Sequence, residues 1–486
     1  MNEHHRIVII GAGSGGLCMG IRLKQAGIDD FVILDKAAGV GGTWWYNTYP
    51  GAECDVQSHL YSFSFEPKLD WTRPYAGQAE ILDYLEQCVR KYGLLSHIRF
   101  DTTIKSARWQ DAMDRWLVTT GDGRLISAQI VVSAIGMFNN IVWPNIDGMH
   151  DFAGASWHSA RWDHDYDLAG KRVGVIGIAA SAVQFTPEIA PRVASLHLYQ
   201  RTANWVVPKG NTPYTAEQIA QFKAKPETVA ASRAELFATW DALCTFQNKP
   251  LMREIEASGL ARIAEVTDAG TRARLTPGHP FGCKRPLFAD NYYPMFNRDN
   301  VELISDGIAR IDARGIVTAD GSRRDLDAII YSTGFETTTF LNAIDVSGRR
   351  GINLNEAWRD GAQAYVGVTT AGFPNLYMLY GPNTNQGCIL YMIEQEVEYI
   401  MRQIERLDRE RLAWLDVTSE AMAAYNALLQ DEIAGIDVWQ AACGNDFYYR
   451  SASGRFVTNF PGTMTQFRQR THAEDRAAYE AKSVVS

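Results

Sequence analysis

The sequence predicts an α/β protein with two parallel-sheet domains of similar construction and a helical insertion. Two stretches, beginning near residues 6 and 171, each run from an apolar strand through a glycine-rich turn into a helix and a second strand. Alternating strands and helices of this kind form parallel sheets. Residues 213–280 show a helical pattern instead. A chain of 486 residues is also too long for one core, so several domains are expected.

Composition and charge exclude several function classes. Charged residues make up 21% and apolar residues 46% of the chain, which is typical of a folded globular protein. A net charge of −9 argues against nucleic-acid or anionic-membrane binding. No stretch approaches the roughly 18 unbroken apolar residues of a membrane span. The first residues lead into a strand without a signal-peptide pattern. We therefore expect a cytoplasmic protein without a nucleic-acid partner or a membrane span.

The scattered cysteines exclude two kinds of site. No CxxC or CxxxxC pair occurs, so a zinc ribbon is not expected, nor is the dithiol of a flavin disulfide reductase. All seven cysteines are predicted to be reduced thiols, and no metal site is predicted. They are Cys18, Cys54, Cys88, Cys244, Cys283, Cys388 and Cys443.

The first nucleotide-binding unit carries GxGxxG between a predicted strand and a predicted helix. Gly11 makes the tight turn, Gly13 lets the backbone approach a pyrophosphate, and Gly16 lets helix and strand pack closely. The helix N-terminus then faces the negative charge of the phosphates. Asp35 ends the next strand, 24 residues after Gly11, where a carboxylate can accept hydrogen bonds from both ribose hydroxyls. This unit suits FAD.

The second unit has the same layout but ends in an arginine. Arg201 stands 24 residues after Gly177, and a guanidinium there suits the 2′-phosphate of NADP. Ala179 replaces the middle glycine, and its methyl group would hold the backbone away from the pyrophosphate. A purely structural half-domain is therefore the alternative to a working NADP site. The NADP-binding residues predicted here are Gly177, Ala179, Ser181, Ala182, Gln184, Arg201 and Thr202.

A further strand is predicted to close each of the two sheets. Residues 129–136 and 328–334 are apolar and end at a glycine, and each follows an Asp-Gly hairpin signal. Residues 152–163, FAGASWHSARWD, lie between the first closing strand and the second unit. They are interpreted as a linker between the domains. The spacing of His158 and Trp162 would place both on one face of a helix.

The chain resembles the Baeyer–Villiger monooxygenases, the single-component flavoenzymes that use FAD and NADPH. Residues 152–163 match the family's FxGxxxHxxxW(P/D) fingerprint at every defined position. Related N- and S-oxygenating flavin monooxygenases usually end this motif in Tyr or Phe, which favours the Baeyer–Villiger type. Residues 41–44 (GGTW), 49–51 (YPG) and Asp55 match a second family motif. The fingerprint residues are Phe152, Gly154, His158, Trp162 and Asp163.

The resemblance implies that one oxygen atom of O₂ is inserted next to a ketone carbonyl, through a C4a-peroxyflavin, to give an ester or lactone. NADPH reduces the FAD in this cycle. Two alternatives stay open. One is N- or S-oxygenation, which needs no arginine beside the flavin. The other is a non-oxygenating FAD protein with poor NADPH turnover, which Ala179 keeps possible.

The resemblance also implies site residues. Arg285 takes the position of the family's essential arginine, and Asp55 is the carboxylate that orients it; a surface charge and a turn carboxylate are the plainer readings. His158 is implied to couple domain movement to nicotinamide placement, not to act as an acid or base. Relatives often have tryptophan at the positions of Tyr448 and Phe460. The implied cofactor contacts are Thr43, Trp44, Asp55 and Tyr61 for FAD, and Lys284 for NADP. Asn385 and Gln386 precede a predicted helix whose N-terminus would favour negative charge on the flavin, so they are also predicted to bind FAD; a plain loop-to-helix connection is the alternative.

The domains are predicted to be discontinuous in sequence. Residues 1–143 and 371–486 are assigned to the FAD-binding domain, and residues 144–212 and 281–370 to the NADP-binding domain. Residues 213–280 form the helical insertion, which begins at the capping-box sequence Thr215-Ala-Glu-Gln218.

Overall fold

The computed structural model describes residues 3–441 and 446–484, and its first sheet is built mainly from the N-terminal strands. β1 pairs in parallel with β2 and β6, while β4, β5 and β6 run antiparallel, with the Asp122-Gly123 hairpin between the last two. The elements are β1 (Glu3–Ile10), α1 (Ser14–Gln25), β2 (Phe31–Leu34), α2 (Thr43–Tyr46), α3 (Gln78–Lys91), β3 (Ile98–Arg99), β4 (Ile104–Gln110), β5 (Arg115–Thr120) and β6 (Leu125–Ser133).

The second domain is a five-stranded parallel sheet that an insertion of four helices interrupts. The elements up to the end of the insertion are β7 (Ala155–His158), β8 (Arg172–Ile176), α4 (Ala180–Ile189), β9 (Ser195–Tyr199), β10 (Val206–Val207), α5 (Ala216–Ala224), α6 (Pro226–Leu243), α7 (Lys249–Ile263), α8 (Ala269–Leu275) and β11 (Leu287–Phe288). The predicted capping box of Thr215 and Gln218 is present at the start of α5.

The second sheet is completed after the insertion. The strands are β12 (Val301–Ile304), β13 (Ile308–Asp312), β14 (Gly315–Thr318), β15 (Arg323–Asp325) and β16 (Ala328–Tyr331). The sheet has the order β12-β9-β8-β16-β7, and β13, β14 and β15 form a separate antiparallel sheet with the predicted Asp320-Gly321 hairpin. β16 is the predicted closing strand, paired between β8 and β7.

The fingerprint stretch belongs to the second sheet and is not a helix. Ala155–His158 forms the edge strand β7, and a 3₁₀ turn follows over Ser159–Arg161. The helical spacing of His158 and Trp162 was therefore misleading, because pairing with β16 holds the segment extended.

The chain returns to the first domain earlier than predicted. β17 pairs with β4, although the sequence assigned its residues to the NADP-binding domain. The remaining elements are β17 (Asp345–Ser347), α9 (Leu354–Ala357), β18 (Leu376–Met378), α10 (Ile389–Arg409), β19 (Leu412–Val417), α11 (Ser419–Ala434), α12 (Asp437–Gln440), α13 (Asp446–Tyr449), α14 (Met464–His472) and β20 (Tyr479–Ser483).

The apolar alternation of the strands fixes the layers of the first domain. Ile7 and Ile9 of β1 are buried in the core that also contains α1 and α10, while Val8 and Ile10 face the opposite core with Trp116 of β5. This packing on both faces holds β1 in place, and the first glycine turn begins at its carboxyl end.

Within the described residues, no helix is both long and apolar enough to cross a membrane.

One prediction about the cysteines is wrong. Cys18, Cys54, Cys88, Cys244 and Cys388 are free thiols, as predicted, and all five are buried, but Cys283 is disulfide-bonded. Cys443 lies outside the described residues.

Candidate functional site

A cavity of about 510 Å³ lies between the two sheets, and both glycine turns form part of its wall. Its position follows from the topology, because the carboxyl ends of the parallel strands in both domains point toward it. The predicted site residues that line it are Gly11, Gly13, Asp35, Thr43, Trp44, Asp55, Tyr61, Ala179, Ser181, Gln184, Arg285, Asn385 and Tyr448.

The first glycine turn has the shape that a pyrophosphate requires. Gly11 has φ +111°, and a Cβ there would lie 2.4 Å from the carbonyl oxygen of Ala134. A Cβ at Gly16 would clash with the carbonyl of Gly11 at 1.8 Å, so its role is close packing of α1 on the strand. The N-terminus of α1 follows directly and favours anionic groups. The turn and helix together fit the phosphates of FAD.

Asp35 stabilises the same turn from the end of β2. Its carboxylate accepts hydrogen bonds from the backbone N–H groups of Ala12 at 2.5 Å and of Ala37 at 2.8 Å. Burial raises the pKa of Asp35, and these two hydrogen bonds oppose that effect. The carboxylate nevertheless lines the cavity, where a ribose can reach it.

Two aromatic side chains form the adjacent wall. The indole nitrogen of Trp44 donates to the hydroxyl oxygen of Tyr61 at 3.1 Å, and the rings meet edge to face. Thr43 begins the short helix α2 beside them. This pair gives a rigid, largely apolar surface of the kind that a flat ring system packs against.

The second glycine turn repeats the geometry of the first. Gly177 has φ +101°, and a Cβ there would lie 2.3 Å from the carbonyl oxygen of Ser332. Ala179 is the N-cap of α4 and lines the cavity together with Ser181. Ala182 does not, because its side chain is fully buried in the core of the second domain. Its contact with NADP stays a prediction.

Gln184 was predicted to contact NADP, yet its amide bridges the two domains. Its oxygen accepts from the Tyr49 hydroxyl at 3.0 Å, and its nitrogen donates to the Glu53 carbonyl at 3.0 Å. The nitrogen also lies 3.5 Å from Oδ1 of Asp55. Through these hydrogen bonds Gln184 connects α4 to residues 49–55 at the edge of the cavity.

The predicted 2′-phosphate residues form a small basic cluster outside the lining of the large cavity. Lys284 Nζ donates to the Thr202 hydroxyl at 2.6 Å. Burial, together with the charge of Arg201, lowers the pKa of Lys284. Two cations that repel each other beside a hydroxyl group suit an anionic ligand such as a phosphate.

Arg285 stands between two oxygen groups on the cavity wall. Its Nη1 donates to the Tyr448 hydroxyl at 2.9 Å, and its Nη2 lies 4.0 Å from Oδ2 of Asp55. Its side chain is 37% exposed, whereas that of Asp55 is 15% exposed. Tyr448 contributes most to raising the pKa of Arg285, burial opposes this, and Asp55 adds to the rise. The guanidinium is therefore permanently charged and faces the cavity.

Lys209 is a charged residue at this site that the sequence did not identify. Its Nζ lies 3.2 Å from Oδ1 of Asp55 and 2.8 Å from Oε1 of Glu53, and its side chain is only 1% exposed. Lys209 follows the two-residue strand β10 and is not part of any motif. No local signal in the sequence could have found it.

The remaining fingerprint residues lie beside the site. The Nδ1 of His158 accepts from the backbone N–H of Ala160 at 3.1 Å. Trp162 packs against Trp157 and Phe185, and Asp163 accepts from the backbone N–H of Asp165. A Cβ at Gly154 would lie 2.5 Å from the ring of Phe152. These contacts shape the edge of the second domain.

The loop before α10 contributes unequally to the cavity. Asn385 lines it and accepts from the Tyr380 hydroxyl at 2.8 Å. Gln386 does not line it, because its amide donates to the carbonyls of Phe460 and Gly462. Relatives often have tryptophan at the positions of Tyr448 and Phe460. Of these two residues, Tyr448 lines the cavity, whereas Phe460 is fully buried.

Taken together, two nucleotide-binding turns that share one cavity define a flavoprotein oxidoreductase with FAD and NADP sites. A family model described as pyridine nucleotide-disulphide oxidoreductase matches residues 8–236, which include both turns. Because the sequence has no CxxC pair, this match reflects the nucleotide-binding domains and not disulfide chemistry.

More specific matches cover the whole chain. A Baeyer–Villiger monooxygenase of Pseudomonas aeruginosa is 41% identical over 98% of this chain and 91% of its own length. One from Streptomyces coelicolor is 40% identical over 99% and 93%. The crystal structure of cyclohexanone monooxygenase from Rhodococcus sp. Phi1 bound to NADP⁺ superimposes with a TM-score of 0.90 at 31% identity, covering 100% of both chains.

This chain belongs to the Baeyer–Villiger monooxygenases, NADPH-dependent oxidoreductases that convert ketones to esters or lactones. Its cofactors are FAD and NADPH. The predicted family, fold class and cofactors are confirmed.

Proposed function

We propose that Arg285 and Asp55 carry the oxygenation of a small-molecule ketone by O₂ in the cavity between the domains. The observation that carries this proposal is the position of the Arg285 guanidinium. It faces the cavity that both nucleotide turns share, and it is held between the Tyr448 hydroxyl and the Asp55 carboxylate.

The residues present fit both cofactors. A Cβ at Gly13 would make only an ordinary van der Waals contact with the Cα of Gly42, at 3.5 Å, so the protein leaves space beside this glycine in which a pyrophosphate can approach the backbone. Thr43, Trp44 and Tyr61 would hold the flavin, and Arg201, Thr202 and Lys284 the 2′-phosphate of NADP. When bound, the two cofactors supply the hydride and the activated oxygen. The overall reaction is ketone + NADPH + H⁺ + O₂ → ester + NADP⁺ + H₂O.

Arg285 contributes a fixed positive charge where negative charge develops on oxygen. Addition of an oxygen nucleophile to the carbonyl carbon turns the carbonyl oxygen into an oxyanion. A guanidinium stabilises it without losing a proton, and it offers several donors. Asp55 keeps the guanidinium oriented and balances its charge. Trp44, Tyr61 and Tyr448 line the same cavity, and water displaced from it by the cofactors and the ketone would strengthen these interactions.

The test is a product assay with two kinds of substrate. Purified protein, NADPH and O₂ are given cyclic, linear and aryl ketones and one thioether, and products are identified by mass spectrometry. Esters or lactones carrying one added oxygen support the proposal. Sulfoxide alone, or hydrogen peroxide without oxygenated product, overturns it in favour of the S-oxygenating or the non-oxygenating alternative.

The role of Arg285 is tested by Arg285→Ala, with the exposed Arg253→Ala as a matched control. Loss of one such donor reduces turnover by about 100- to 1000-fold, so we expect ester formation to fall by that amount. Sulfoxidation, which needs no oxyanion stabilisation at carbon, is expected to continue. Equal loss or equal retention of both activities would contradict the assignment.

Cytoplasmic localisation stays a prediction.

A further inference from the structure

Lys209 is a buried ammonium group that connects the two domains. Its Nζ donates to Oε1 of Glu53 at 2.8 Å and to the carbonyl oxygen of Cys54 at 2.9 Å, and it lies 3.2 Å from Oδ1 of Asp55. The side chain is 1% exposed. An ammonium so deeply buried is tolerated only when it is paired and hydrogen-bonded, and all three partners come from the first domain.

The backbone around Lys209 is fixed independently of these contacts. The carboxylate of Asp290 accepts hydrogen bonds from the N–H groups of Lys209, Gly210 and Asn211 at 2.9, 3.0 and 3.0 Å. The ammonium also lies 5.4 Å from the ring centroid of Tyr75. The loop therefore presents the side chain in one direction, toward residues 53–55.

The two oxygens of Asp55 are shared between two cations. Oδ1 faces Lys209 at 3.2 Å, and Oδ2 faces Arg285 at 4.0 Å. The contact with Lys209 is the closer of the two. Glu53, Lys209, Asp55 and Arg285 thus form a row of alternating charges that ends at the cavity.

We propose that Lys209 is a positioning residue for the oxygenation reaction, which holds Oδ1 of Asp55 and so prevents Asp55 from forming a tight pair with Arg285. The inference rests on the proposed function of Arg285. Without the ammonium, Oδ1 of Asp55 is free to turn toward the guanidinium. A bidentate carboxylate–guanidinium pair would then occupy the N–H groups that face the reacting oxygen.

The phenol and thiol groups near Asp55 stay neutral over the working pH range, whereas Lys209 stays charged. Burial raises the pKa of Tyr49 to about 12 and that of Tyr75 to about 12, and burial likewise raises the pKa of the Cys54 thiol. Burial disfavours the charge of Lys209, but Asp55 and Glu53 outweigh it and raise the pKa of the ammonium.

Two further groups complete these surroundings. Tyr448 accepts a hydrogen bond from Nη1 of Arg285, whereas Nη2 faces Asp55. Asp290 accepts hydrogen bonds from the backbone of the Lys209 loop.

The experiment compares Lys209→Met with Lys209→Arg and with the control Lys105→Met, whose lysine is exposed on β4. Ester formation, thioether oxidation and flavin reduction by NADPH are measured. For Lys209→Met we expect ester turnover to fall at least tenfold relative to sulfoxidation. Lys209→Arg should restore this ratio.

A second variant keeps the proposal testable if Lys209→Met does not retain FAD. In Glu53→Gln the ammonium keeps Asp55 as a charged partner, so the ratio of ester to sulfoxide is expected to stay close to that of the unmodified enzyme. An unchanged ratio in Lys209→Met, a ratio that falls in Glu53→Gln, or a parallel loss of ester and sulfoxide that Lys209→Arg does not rescue would overturn the role of Lys209. Absence of ester from the unmodified enzyme would instead overturn the proposed function.

Discussion

At the scale of single residues, burial determines the protonation state of His158 and thereby its role. It is 1% exposed, and its Nδ1 accepts from the backbone N–H of Ala160. Burial and then the charge of Arg161 lower the pKa of His158 to about 4. The imidazole is neutral at neutral pH, where it holds the turn after β7. This agrees with the expectation that it is neither an acid nor a base in the reaction.

The same shift makes His158 a source of acid instability. Its pKa is lower in the folded state than the 6.5 of an exposed histidine, so the unfolded chain binds more protons between about pH 4 and 6.5. Stability therefore falls as pH drops through this window, by about 3 kcal/mol in total. His158→Gln should flatten the dependence of Tm on pH between 4 and 6.5. The exposed His4→Gln should leave it unchanged, and an unaltered slope in His158→Gln would assign the instability to other groups.

At the scale of elements, α1 and α4 begin with the same backbone geometry but different residues. The N-cap of α1 is Gly13 with φ −77° and ψ −173°, and that of α4 is Ala179 with φ −74° and ψ −173°. These angles are open to any residue, so neither position needs glycine for its backbone. We infer that glycine at position 13 serves the close approach of a pyrophosphate, and that the methyl group of Ala179 lies where the pyrophosphate of NADP would approach the second turn.

Ala179→Gly is therefore expected to bind NADP⁺ more tightly than the wild type. Removing the methyl group lets the turn approach the pyrophosphate, and glycine is a better N-cap than alanine, so α4 is not weakened. Titration of NADP⁺ against the oxidised flavoprotein measures the change in Kd. Ala182→Gly, in the buried part of the same helix, should lower stability without tightening binding. An unchanged Kd in Ala179→Gly would mean that the pyrophosphate does not approach this turn.

At the scale of the whole molecule, the helical insertion docks on a loop of the first domain. Nη1 of Arg233 in α6 donates to the carbonyl oxygens of His59, Leu60 and Ser62 at 3.1, 3.0 and 3.0 Å. The indole nitrogen of Trp240 donates to Gln57 at 2.7 Å. This loop also carries Tyr61 of the cavity wall. The insertion therefore stabilises one side of the FAD site from outside.

Arg233→Met should loosen both the insertion and the flavin wall. It removes the donor for three carbonyls, at a cost of about 1–3 kcal/mol for groups left without a partner. We expect faster limited proteolysis within residues 213–280 and weaker retention of FAD on dilution. Arg253→Met, at an exposed position of α7, is the matched control. Proteolysis and FAD retention equal to those of the control would show that the guanidinium does not hold the insertion.

The sequence by itself determined the features that depend on local backbone chemistry. Gly11 and Gly177 have positive φ angles, and a Cβ at either position would lie within 2.4 Å of a carbonyl oxygen, so only glycine fits there. Such turns can therefore be predicted from residue type and spacing. The position of Asp35 could be predicted because it directly follows β2. Its carboxylate accepts hydrogen bonds from the backbone N–H groups of Ala12 and Ala37, which the spacing of the motif places nearby. The fingerprint likewise identified the family.

Only the tertiary structure decided what lies between distant segments. Lys209 meets Glu53 across 156 residues, and Gln184 meets it across 131, and no spacing rule predicts such pairs. Residues 155–158 form an edge strand because β16 offers them backbone partners, and this pairing overrides a helical spacing of side chains. Local patterns encode the turns that bind nucleotides. The charges that hold Asp55 beside Arg285 are set by how the two domains pack.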